Sequence, residues 1–172
     1  ILPNSYEEKI KELVKYLLNK GYGIASGGAT GTDAFALNAI LHFGQCPRGI
    51  IFSAWKHIAQ FPAIAKNQIK RFIDEGGKVS WGFVPFNACR NAVVAGLLGR
   101  NIKLASEVAG LVAFLHGESR GTTFTISQAA KRKLSIAAFL CGANAALPNL
   151  PQGHWVALQQ QKWKGAYKIV YS

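Results

Sequence analysis

Two short segments constrain this chain more than any other feature. Ser26-Gly27-Gly28-Ala29-Thr30-Gly31-Thr32-Asp33 and Gly117-Glu118-Ser119-Arg120-Gly121-Thr122 each follow an apolar run of strand length, residues 22–26 and 110–115. Each leads into a helical pattern. Strand, glycine turn and helix start, in that order, make a βα unit whose backbone N–H groups converge on an anion. One such turn is ordinary punctuation between a strand and a helix. Two of them in one small chain imply a bipartite site for a phosphate-bearing ligand.

The rest of the chain repeats the alternation. Ser5-Tyr6-Glu7-Glu8 has the form of a capping box, and Ile10, Leu13, Val14, Leu17 and Leu18 follow at helical spacing until Asn19-Lys20-Gly21 supplies a stop. Residues 33–43 read as helix, 48–52 as strand, 61–75 as helix and 78–81 as a short strand. A helical stretch over 87–98 is interrupted at Gly99 and resumes through Glu107. Strand 110–115, helix 123–133 and strand 135–141 come next. Strands alternating with helices predict an α/β fold, a parallel sheet covered on both faces. Pro148 and Pro151 then mark a break, after which 154–159 and 166–171 read as two strands around Lys164-Gly165. The expected division is therefore a main domain over 1–147 and a basic C-terminal extension over 148–172, folded as a hairpin on the sheet edge of the same domain.

With 172 residues, of which 49% are hydrophobic and 16% charged, the chain can bury one sizeable core, which excludes a disordered polypeptide. No apolar stretch is long and clean enough for a bilayer span, and no secretory signal is present, so no membrane partner is expected. The chain begins at Ile1 and holds no methionine, so its natural start is expected to lie outside it. The net charge of +12 is graded: residues 1–47 balance, 48–118 hold nine basic against four acidic groups, and 119–172 hold seven basic groups and no acid. That gradient suits a polyanion such as nucleic acid, or an anionic neighbour in a larger assembly. Cys46, Cys89 and Cys141 form no close pair. They are expected to be buried thiols in the cytoplasm or another reducing intracellular compartment. Scattered His42, His57, His116 and His154 offer no metal-ligand spacing, so no metal is expected.

In order and spacing these pieces resemble the DNA-processing protein A family (DprA, also called Smf). That family belongs to the Rossmann-like SLOG group, which includes the LOG phosphoribohydrolases. The run from Gly21 to Asp33 is similar to the family's G-x-x-x-x-SGGA-x-G-x-D, and Phe61-Pro62 with Asn67 to its Y-P…N stretch. Glu75-Gly76-Gly77-Lys78-Val79-Ser80 resembles its G-x-L-I-S, and Arg100-Asn101 its R-N pair. Gly117, Ser119, Gly121 and Thr122 stand in the place of the second glycine turn, ahead of Ala129 and Ala130 in the helix that follows. The likeness spans most of residues 5–142. It implies a Rossmann-like three-layer fold, and the binding of single-stranded DNA in recombination. Three departures stand out: no counterpart of the family's first strand precedes Ser5, Trp81 replaces an acidic residue, and nothing after Leu147 matches.

Candidate ligand or phosphate contacts are Ser26, Gly27, Gly28, Gly31, Thr32 and Asp33 at the first turn, Arg100 and Asn101 between the turns, and Gly117, Ser119, Arg120, Gly121 and Thr122 at the second. Glycines permit close backbone approach, hydroxyls donate to phosphate oxygens, and a guanidinium fork suits phosphate. Asp33 serves equally as a helix-dipole partner, a ribose ligand or a brace for its loop. Arg90-Asn91 repeats the arginine–asparagine dipeptide at an interval that does not fit, either a decoy or a second phosphate contact. Lys131, Arg132 and Lys133, and Lys162, Trp163 and Lys164, are candidate nucleic-acid contacts. For the basic triplet a solvated helix end is the plainer role.

Two function classes compete. A LOG-type phosphoribohydrolase needs a carboxylate soon after its second-turn threonine. The corresponding position is Thr125, and no acid follows Glu118. No Ser-His-Asp or Cys-His arrangement is legible either, so no catalytic residue is assigned. Binding of a nucleotide or single-stranded DNA, with no required cofactor, is the favoured expectation. A non-catalytic basic subunit of a nucleoprotein assembly, or a homo-oligomer, is the remaining one.

Overall fold

The computed structural model describes residues 4–172. It is a mixed α/β protein with two sheets, and the chain divides into two compact units, 4–100 and 101–172. In the first unit, α1 (Glu7–Asn19) buries Ile10, Leu13, Val14 and Leu18. These lie at the spacing that makes one apolar stripe. The expected capping box does not form: a 3-10 turn over Asn4–Tyr6 extends the helix upstream, placing Ser5 inside the turn and Tyr6 at the cap. At the other end Gly21, with φ +90°, stops the helix as read, and the Tyr22 N–H returns to the Leu17 carbonyl at 3.1 Å.

Strands β1 (Ile24–Ser26), β2 (Gly49–Phe52) and β3 (Lys78–Ser80) form a parallel three-stranded sheet in the order β1-β2-β3. Helices α2 (Thr32–His42) and α3 (Ala63–Asp74) are the crossovers that parallel neighbours require. Arg48 ties the start of β2 to what precedes β1, its Nη2 donating to the Leu18 carbonyl at 2.9 Å and the Tyr22 carbonyl at 2.6 Å. Phe72 of α3 is fully buried, and the absence of side chains at Gly49 and Gly77 lets both backbones lie on its ring.

Helix α4 (Arg90–Glu107) is continuous through Gly99, where an interruption was expected. A glycine in a helix interior costs about 1 kcal/mol relative to alanine. Burial of Leu104 and Ala105 beyond it outweighs that. The boundary between the units falls inside this helix, after Arg100.

The second unit holds a four-stranded mixed sheet, a parallel pair with the hairpin on its edge. β4 (Gly110–Leu115) pairs in parallel with β5 (Ser135–Leu140) across α5 (Arg120–Lys131), which starts three residues earlier than its apolar pattern suggested. The C-terminal segments form the expected antiparallel hairpin, β6 (Gly153–Ala157) and β7 (Ala166–Tyr171), and β7 docks antiparallel on β5. A hairpin reaches its neighbour through a short connection, which only antiparallel pairing allows. The core is small and apolar, with Ile126, Ala130 and Ala138 wholly buried. Tyr171 closes its edge by donating to the Leu134 carbonyl at 2.5 Å, and burial raises its phenol pKa.

Candidate functional site

The first glycine turn lies in the first unit and is built around two backbone constraints. Gly28 (φ +66°) and Gly31 (φ +84°, ψ −127°) take conformations open to glycine, and Gly31 places Thr32 at the start of α2. Ser26 and Gly27 are buried at the end of β1, so the turn sits against packed structure. A side chain at Gly28 would lie 2.9 Å from Ile51 Cγ2 and 3.2 Å from Phe61 Cε1. Thus the Phe61 that sequence analysis marked is part of the turn's support.

Arg100 reaches this turn from α4, 73 positions along the chain, and its Nη1 donates to the Gly27 carbonyl. Its Nε is buried and has no hydrogen-bond partner among the described residues. Burial lowers the Arg100 pKa, and the nearby Asp33 charge opposes the shift. A Cβ at Gly27 would collide with the guanidinium and stand 2.9 Å from Asp33 Oδ2. Asp33 itself accepts the Ala29 N–H at 3.1 Å, which makes it a brace for the loop. That bond occupies one of the turn's donors. The first N–H groups of α2 have no intrahelical acceptors, as at any helix start.

The second turn lies in the second unit and satisfies itself. Gly117 has φ +58°. The Ser119 hydroxyl donates to the His116 carbonyl at 2.6 Å and accepts the His116 N–H at 3.0 Å, so both its functions are engaged locally. The Gly121 carbonyl accepts Thr125 Oγ1 at 2.9 Å, and buried Asn101 donates to it at 3.5 Å. Arg120 is exposed and lies 3.6 Å from exposed Glu118. Thr122 is half-buried in the first turn of α5.

The remaining candidates fall into three groups. Lys131, Arg132 and Lys133 are exposed at the C-terminal end of α5, with Arg132 donating to the Gln128 carbonyl at 3.2 Å and Lys133 at φ +54°. That is the placement of cations against a helix dipole. Lys162 and Lys164 are exposed, whereas Trp163 is half-buried and stacks on Phe139, ring centroids 6.4 Å apart; Phe139 in turn stacks on Phe114 at 4.7 Å. Arg90 and Asn91 open α4, both exposed.

Sequence reading passed over the loop between β3 and α4. Phe83 is 93% exposed and Phe86 64% exposed, on either side of buried Val84. The available signal was two phenylalanines in a stretch, 76–106, without a single carboxylate. Of the cysteines, Cys46 and Cys141 are buried and outside any disulfide, but Cys89 at the end of this loop is exposed, which corrects the expectation for it. The Cys46 thiol is pushed up to about 11 by burial and by its contact with Glu75.

Among the described residues no helix is long and apolar enough to cross a membrane. Comparison with known proteins gives no match: no family model, no curated protein and no solved structure matches the chain.

Proposed function

We propose that the chain is a DprA-like domain of the SLOG group that binds a nucleotide or the phosphates of single-stranded DNA, in DNA processing or recombination. One observation carries the reading. The half-buried Arg100 guanidinium lies on the first glycine turn, beside the start of α2, with Nε buried and unpartnered among the described residues. A cation held against backbone donors is the arrangement that recognises phosphate. The net charge of +12 favours a polyanion as the natural ligand. The reading takes with it a Rossmann-like three-layer architecture. The neighbours β1-β2-β3 and the parallel pair β4-β5 are those that doubly wound sheets use. It also places the protein in a reducing intracellular compartment, where DNA processing occurs.

The test is binding of a labelled single-stranded oligonucleotide by the full chain. Affinity is expected to fall steeply with added salt as counterions compete. Arg100→Ala is expected to weaken it about tenfold or more, the scale of a lost hydrogen bond to a charged group. Unchanged affinity in that variant rejects the site, and no binding at low salt rejects the function.

A further inference from the structure

We infer that the loop between β3 and α4 is a base-stacking platform for single-stranded DNA, with Phe83 and Phe86 as its exposed rings; this rests on the function proposed above. The loop is a built feature. Gly82 N–H donates to the Trp55 carbonyl at 2.9 Å, Val84 N–H to the Ala54 carbonyl at 3.1 Å, and Gln60 Nε2 to the Val84 carbonyl at 2.9 Å. Val84 is pinned inward, 4% exposed, against Gly96, where any side chain would strike it. Pinning Val84 turns its neighbour Phe83 outward, which explains a phenylalanine left 93% exposed on ordered backbone. The Phe86 ring lies tilted at 37° to the His57 ring, centroids 6.1 Å apart.

Two observations select nucleic acid as the occupant. The first is charge. The loop and the segment bracing it carry Lys56 and Arg90, both exposed, and no carboxylate lies in 53–61 or 76–106. Exposed aromatics set among cations alone match bases on a phosphate backbone. The second is continuity. The Phe61 ring lies beside the first glycine turn, 3.2 Å from where a Cβ of Gly28 would stand, and packs edge-on against Trp81, centroids 6.4 Å apart, at the start of the loop. A strand with a phosphate at the turn therefore meets the aromatic loop within the same unit.

The experiment measures anisotropy of the full chain with oligothymidine of about 16 nucleotides and with an abasic strand of equal length. Phe83→Ala and Phe86→Ala are each expected to weaken oligothymidine binding at least about fivefold. Abasic binding, salt dependence and melting temperature should stay as in the parent, since both rings are exposed. Unchanged oligothymidine affinity in these variants, with binding lost in Arg100→Ala, overturns the platform and leaves the phosphate site standing. Equal weakening for both strands overturns stacking as the cause. Dissociation of an oligomer by Phe83→Ala at unchanged DNA affinity makes the patch a self-interface and overturns it too. Absence of any binding by the parent at low salt removes the underlying function, and this inference with it.

Discussion

Residues 26–33 and 116–122 share a strand end, a glycine at positive φ and a helix start, yet the first turn is held by remote side chains and the second, apart from a long 3.5 Å bond from Asn101, by its own neighbours. Arg100, Phe61 and Ile51 crowd the first turn, and any side chain at Gly27 or Gly28 would strike them. Around Gly117 and Gly121 a side chain would meet nothing within 4 Å. Ser119 and Thr125 close hydrogen bonds within four residues of themselves. A glycine turn is thus two things that sequence does not separate: a backbone conformation, and a clearance for something else. Only the first turn uses the clearance.

Substitutions sharpen that contrast, and the largest effect is expected at Gly27. Gly27→Ala forces the Arg100 guanidinium off the turn. Overpacking of this kind destabilises by about 1–3 kcal/mol. Oligonucleotide binding should fall along with the midpoint of urea unfolding. Retention of both would mean that the first turn is as independent of its surroundings as the second. Ser119→Ala comes next. It deletes the two bonds with His116, and a loss of about 1 kcal/mol is expected in thermal unfolding without a change in DNA affinity. A large drop in affinity would show that this hydroxyl leaves its local partners for a ligand. Arg120→Ala is the smallest. Its pair with Glu118 is exposed on both sides, so stability should move by less than about 0.5 kcal/mol.

Much of the fold was legible because it rests on periodicity. The apolar stripe of α1, the short runs that became β1 to β5 and the terminal hairpin all follow from spacing and turn residues close in sequence. The misreadings concern energies that local pattern does not carry. Gly99 reads as a helix break, but α4 gains from burial on later turns and runs through it. Ser5 reads as a cap until a 3-10 turn displaces it. Residues 82–86 read as a connection, and 87–89 as the start of a helix that begins at Arg90, since nothing local says that Val84 will be pinned and Phe83 turned out.

The sequence by itself determined the alternation of strands and helices, the two glycine turns and the excess of positive charge, because each is written in neighbouring residues. Tertiary structure alone decided which turn acquires a half-buried arginine. Arg100 and Gly27 lie 73 residues apart, and their meeting depends on where β1 and α4 pack within the first unit. Contacts of that range arise only after the chain has closed its loops, so no local pattern encodes them.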